Sequence, residues 1–251
     1  MRSMPRRNPR SMLVMDPPPL RGGGIASSRN LIIPRTIITG PADFELFEGE
    51  TIRARFEAYG AGGPGAGGGY NTGGYAGGGG GCAVCEAILT GPGIIGFQPA
   101  RGKIGGAYGE TGDASNPAWS NVYWWTPSSG LLLFCRAQSG FAAISSSGGQ
   151  TTYSGSGGSG EKSNAPISYP QINILSSVAY TGSSGVNFAA GKAAGPEGNS
   201  PSYISPGPGY KSDMGSIGQG GFGDSTFNSG SGSTSAGGDG LPGGIVWWTI
   251  Q

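Results

Sequence analysis

Hydrophobic and polar residues alternate most clearly from Thr51 to Tyr59. Ile52, Ala54, Phe56 and Ala58 fall on one face, and Arg53, Arg55, Glu57 and Tyr59 on the other. That period of two predicts a half-buried β-strand. Residues 31–39 (LIIPRTIIT) are strongly β-favouring, but Pro34 restricts them to an edge strand or a pair of short ones. Residues 44–50 follow, with a turn at Gly49. Residues 82–89 (CAVCEAIL) read as a strand ended by Thr90-Gly91-Pro92-Gly93, and Ile94, Ile95 and Phe97 continue the β character. Further on, residues 130–135 form a short apolar strand, 141–144 a weaker one, Ile172-Asn173-Ile174-Leu175 another, and 245–251 (IVWWTIQ) the last. Between residues 145 and 240 the chain is mostly Gly, Ser, Asn and Pro, relieved by single aromatics such as Tyr180, Phe188, Tyr203, Tyr210, Phe222 and Phe227. No fixed long repeat is visible, which excludes the standard solenoids.

The strongest strands therefore lie near the two ends of the body, at 51–59 and 245–251, and are expected to pair or pack as its base. Glycine dominates between them. In residues 60–81, 14 of 22 positions are glycine. Glycine in regular structure costs roughly 0.5–1 kcal/mol per residue relative to alanine, so contacts from outside the run must hold it. Gly60-Ala61-Gly62-Gly63-Pro64-Gly65 matches the G-x-G-x-x-G dinucleotide pattern after a strand. That motif needs a helix directly after it, and Ala66-Gly67-Gly68-Gly69 argues against one. Extended segments with three residues per turn, like those of polyproline II, leave their N–H and C=O groups free for neighbours. Without Cβ atoms they can pack backbone to backbone. Collagen's strict period of three is not kept.

Composition fits this picture. Of 251 residues 54 are glycine and 12% are charged, a mixture that ordinarily signals disorder. Ten Tyr, nine Phe and five Trp argue instead for an ordered fold with a thin side-chain core. The result is an all-β expectation: a glycine-rich β domain with extended polyglycine-like loops and little or no helix.

Charge divides the chain. Residues 1–40 carry seven arginines against one acid, a net of +6, whereas the remainder carries −5. Prolines at 5, 9, 17, 18 and 19 make the arm extended rather than helical. It reads either as a solvated tail or as an arm threading into a partner's groove. Arg2, Arg6, Arg7, Arg10 and Arg21 are the candidate docking residues. The arm has no aromatic residue before position 31 for base stacking, so an acidic protein surface fits better than nucleic acid. This reading places the arm at residues 1–43 and the β domain at 44–251. No secretory signal is visible and no stretch approaches the ~20 apolar residues of a membrane span, so synthesis in a cytosol without membrane insertion is expected.

Chemistry is sparse. There is no histidine, which removes the commonest general base and zinc ligand. Cys82, Cys85 and Cys135 are too few for a disulfide framework and read as small buried residues, ahead of a disulfide or a metal site. In a strand, Cys82 and Cys85 point to opposite faces and do not converge. Glu110, Asp113, Asp213, Asp224 and Asp239 are scattered loop acids without a calcium-loop pattern. Trp119, Trp124, Trp125, Trp247 and Trp248 read as core or subunit-interface residues, with a sugar-binding platform as the alternative. No catalytic residue, metal or cofactor is expected.

Four features together resemble a known family. These are a strand ending in Tyr59-Gly60-Ala61-Gly62-Gly63, a polyglycine run entering a strand (GGGGGCAVCEAIL), a Thr-Gly-Pro-Gly turn, and a terminal GLPGGIVWW. In this succession residues 44–251 resemble the glycine-rich domain of bacteriophage tail and receptor-binding proteins. The serine- and proline-rich second half and the Cys pair depart from it. The resemblance implies a non-enzymatic virion component, tail or capsid-associated, assembled in the host cytoplasm as an oligomer, a trimer being favoured. Its partners would be other virion proteins met through the arm. The alternative it implies is an adhesin whose glycine-rich loops recognise a host surface glycan or protein.

Overall fold

A computed structural model describes residues 31–67, 75–104, 118–144, 155–163, 168–169, 171–185, 195 and 238–251. The arm arginines Arg2 to Arg21, the acids Glu110, Asp113, Asp213 and Asp224, and the aromatics Phe188, Tyr203, Tyr210, Phe222 and Phe227 lie outside these. Eleven strands are present among the described residues: β1 Thr36–Ile38, β2 Ala42–Leu46, β3 Thr51–Tyr59, β4 Cys82–Thr90, β5 Gly93–Gln98 and β6 Trp119–Thr126. They continue with β7 Gly130–Gln138, β8 Gly160–Glu161, β9 Ser168–Tyr169, β10 Ile172–Tyr180 and β11 Gly244–Thr249. There is no helix among the described residues, and every strand pairing is antiparallel.

The strands form two sheets, one ordered β1-β11-β3-β4-β10-β9 and the other β2-β5-β6-β7-β8. The expected pairing of the first and last strong strands is present: β11 lies beside β3, with Trp247 opposite Phe56. The alternation in β3 has its cause here. Ile52, Ala54, Phe56 and Ala58 face the other sheet and are buried, opposite Leu89, Ala87, Cys85 and Ala83 of β4. Phe56 anchors this core, lying parallel to Trp247 at 5.9 Å between centroids and edge-on to Phe134 at 5.1 Å. Such ring pairs add about 0.5–1.5 kcal/mol beyond burial, a useful supplement where so many neighbours are alanine. Pro34 precedes an edge strand, as expected, but β1 and β2 both pair within the sheets. The compact unit begins at Leu31.

The two ends of the sandwich differ. One end closes with short connections, β4 to β5 through Gly91 and Pro92 and β6 to β7 through residues 127–129. At the other end β3, β4, β7, β8, β10 and β11 all open into glycine-rich chain. Ser120, buried on β6, ties the sheets there: its hydroxyl donates to the Tyr59 carbonyl at 2.6 Å and accepts from the Ala100 N–H at 2.9 Å.

Beyond that tie the side-chain core gives way to a lattice of backbone. Gly60, Gly63 and Ala66 donate to the carbonyls of Gly81, Gly78 and Tyr75 at 2.8–2.9 Å. Gly62 and Gly65 donate to Leu241 and Gly238, and the carbonyls of Ala61 and Pro64 accept from Gly140 and Ala143. Each neighbour is thus met at every third residue, and the three sets interleave along the chain. A strand, with two faces, cannot do this; an extended helix with three residues per turn can. The pattern continues outward. Gly155 and Gly158 donate to Ala76 and Gly79, and Gly182 and Gly185 donate to Gly158 and Gly155. At many of the glycine contact positions the spacing between segments leaves no room for a side chain. A Cβ on Gly63 would lie 2.0 Å from the Phe141 carbonyl oxygen, and one on Gly78 would lie 1.9 Å from that of Ser156. Residues 141–144, expected as a weak strand, belong to this lattice instead, apart from an isolated bridge at Ile144.

Candidate functional site

The G-x-G-x-x-G segment at 60–65 is not a phosphate cradle. The N–H groups of Gly60, Gly62, Gly63 and Gly65 are all spent on neighbouring carbonyls, and Ala66 and Gly67 directly after the segment are not helical. A phosphate site of this kind requires those donors to be free.

The cysteines are equally committed. Cys82 packs with Tyr59, Val84 and Val246 on the outer side of the six-stranded sheet, whereas Cys85 and Cys135 lie between the sheets. The strand geometry that sends residues three apart to opposite faces accounts for this. All three are free and buried. Burial pushes the Cys85 thiol up to about 12 and holds those of Cys82 and Cys135 well above the ordinary thiol range. Cys135 also donates to the Ala83 carbonyl at 3.4 Å. Thiols this reluctant to ionise are poor nucleophiles. Among the described residues, no group of three Cys, Asp or Glu could hold a metal ion.

These raised values fix a pH response. The neutral thiol is favoured by folding, so its contribution is complete below the unfolded thiol value of about 8.5 and is lost as pH climbs toward about 12. Stability measured by denaturant melts is expected to be flat from pH 6 to 8 on this account and to fall above about pH 8.5. Cys85→Ser should blunt that fall; an unchanged alkaline limb in the variant would refute the assignment.

Polar chemistry on the outer side of the six-stranded sheet is organised around Glu57, which is 1% exposed. Its carboxylate accepts from the Tyr59 hydroxyl at 3.0 Å and from Arg55 Nε at 3.2 Å. Arg55 reaches Glu86 at 3.5 Å, and Glu86 meets Arg53 at 3.3 Å. Trp248 lies under the guanidinium groups of Arg55 and Arg35, at 5.6 and 5.9 Å from its ring centroid. The Tyr59 hydroxyl is driven far above its usual range, chiefly by burial, with Cys82 and Glu57 adding to it. A buried carboxylate engaged by two donors reads as a structural network.

The five tryptophans separate into two groups. Trp124 and Trp247 are buried in the core, Trp124 lying where a Cβ on Gly93 would be. Trp119, Trp125 and Trp248 reach the surface, the last on the opposite sheet from the other two. On the outer face of the five-stranded sheet, Trp125 (39% exposed) stands opposite Leu131 (58%), and Tyr123 opposite Leu133 (39%). Tyr123 lies over Gly96, and its hydroxyl donates to Asp43 at 3.4 Å. Burial, reinforced by that carboxylate, raises its pKa.

Toward the lattice end of the same face, Trp119 is clamped. The Arg136 guanidinium sits 3.6 Å from its ring centroid and is itself held by Glu161 at 3.1 Å. Beside it opens a groove of about 600 Å³, walled by Trp119, Gln98, Asn121, Arg101 and Thr39, with Pro41, Ala100 and Pro242 among its apolar parts. This groove escaped the sequence reading. Its only advance signal was Trp119, since Gln98 and Asn121 become neighbours through the pairing of β5 with β6. Compared with known proteins, the chain matches no family model and no curated sequence.

Proposed function

We propose that the protein is a non-enzymatic structural component of a bacteriophage virion, a fibre or tip piece associated with tail or capsid and docked by its basic N-terminal arm. The observation that carries this reading is the backbone lattice. It turns glycine-rich chain, which composition alone would leave flexible, into an extension of a β sandwich held by hydrogen bonds at every third residue. Such an element suits a rigid protrusion. The described thiols are buried, and burial keeps them protonated and unreactive. The resemblance of residues 44–251 to phage glycine-rich domains supports the same reading, and with it an oligomeric, trimer-forming assembly.

Deleting residues 1–30 tests the docking role, because the compact unit begins at Leu31. The truncated protein is expected to retain its β-type circular dichroism and cooperative melting yet to be missing from purified particles. Normal incorporation of the truncated chain would defeat the proposal.

The exposed aromatic face of Trp125, Tyr123, Leu131 and Leu133, together with the Trp119 groove, favours a second reading as a receptor-binding adhesin. Binding of the purified full chain to host cells, in competition with infection, would raise this reading above the first.

A further inference from the structure

We propose that the groove beside Trp119 is a saccharide-binding site, taking a sugar that presents adjacent hydroxyl groups. The proposal deepens the adhesin reading and rests on it only for the biological source of the sugar. Three observations converge.

First, the aromatic wall is pre-organised. Trp119 is fixed by Arg136 at 3.6 Å, and Arg136 by Glu161 at 3.1 Å. Arg136 is not one of the groove's walls, so Trp119 offers the groove its other face or its edge. A flat ring held in place costs little ordering when the C–H face of a pyranose settles on it.

Second, the polar groups are of the right type and are paired. Gln98 and Asn121 are register partners on β5 and β6, which places two side-chain amides side by side. Each amide can both donate, through its NH2, and accept, through its carbonyl, and each sugar hydroxyl can donate one O–H and accept. Adjacent amides can therefore satisfy neighbouring hydroxyls in both directions. An apolar ligand would strip water from the amides and return nothing.

Third, the remaining candidates fit poorly. A phosphate-bearing ligand calls for clustered cations or free backbone donors, yet Arg101 is the sole ionisable wall residue among the described residues. A peptide strand needs a free sheet edge, but β5 and β6 are both interior strands of their sheet. The volume of about 600 Å³ lies within the usual range for small-molecule sites.

The test uses the full-length chain against a panel of immobilised neutral and acidic glycans, with hits measured in solution through quenching of tryptophan fluorescence. At least one saccharide is expected to bind. Gln98→Ala and Asn121→Ala should each weaken it roughly tenfold, since each lost hydrogen-bonding pair is worth about that factor, and Trp119→Ala should abolish it by removing the aromatic wall. Gln98 is exposed, so its replacement isolates binding from folding even if the Trp119 variant is destabilised. Arg101→Ala separates acidic from neutral sugars: lost binding assigns it to a sugar carboxylate, unchanged binding to a neutral sugar. No binding across the panel, or binding insensitive to Gln98 and Asn121, overturns the proposal. Host-cell binding that survives both amide replacements would refute the groove while leaving the adhesin reading intact. Absence of host-cell binding alongside amide-dependent saccharide binding would do the reverse.

Discussion

Gly78→Ala is expected to destabilise the protein by more than about 3 kcal/mol, beyond the usual span for overpacking. Two effects oppose each other at this position. Alanine restricts the unfolded chain and in a compatible site stabilises by about 0.4–1 kcal/mol. Against that stands a Cβ placed 1.9 Å from the Ser156 carbonyl oxygen and 2.4 Å from its carbon. Neither atom can rotate away, because Ser156 accepts from Phe141 on one side and its segment is tied to Ala76 and Gly79 on the other. Steric conflict wins, and the segments must separate. For a chain of this size the loss corresponds to a fall in Tm of roughly 6–12 °C or more. Gly63→Ala should behave alike, its Cβ lying 2.0 Å from the Phe141 oxygen. Gly40→Ala is the control, since nothing beyond its chain neighbours lies within 4 Å of its Cβ, and its Tm should be unchanged or rise by no more than about 4 °C. Equal melting temperatures for Gly78→Ala and Gly40→Ala would show that the segments do not pack as described.

Phe56→Ala removes the centre of the side-chain core and is expected to cost about 3–5 kcal/mol. Phe56 is fully buried and touches the rings of Trp247, Phe134 and Phe97, so a cavity opens between both sheets at once. Its strand neighbours Ala54 and Ala58 are too small to move in and fill it. Chemical denaturation of the variant beside Leu131→Ala measures the contrast. Leu131 is 58% exposed, and its replacement should fall within about 0.5 kcal/mol of the parent. Comparable losses for the two variants would mean that the core lies elsewhere.

The strands were legible where side chains alternate or run apolar. β3 announces itself through Ile52, Ala54, Phe56 and Ala58, and β11 through Ile245, Val246 and Trp247, because each residue's side of the sheet is written in its polarity. β6 was harder to see. Its inward residues Ser120, Val122, Trp124 and Thr126 include two hydroxyls, buried because they hydrogen-bond, and its outward residues include Trp119 and Trp125. Polarity there reports hydrogen-bonding needs rather than facing. Glycine density disclosed backbone packing in residues 60–67 and 75–81, but not which segments meet, since backbone contacts carry no side-chain signature. The groove was concealed for a related reason. Gln98 joins Trp119 and Asn121 only through strand register, which leaves no local pattern.

The threefold bonding of residues 60–66 has a consequence for how this protein can change in length. Each added or deleted residue turns the following chain by a third of a revolution about its own axis. A single insertion after Gly62 would aim the donors now meeting Gly78 and Tyr75 at a different neighbour. Changes of three residues restore the phase and only lengthen the segment. Variation in the lattice is therefore confined to whole turns, a reading frame imposed by packing and independent of the genetic one.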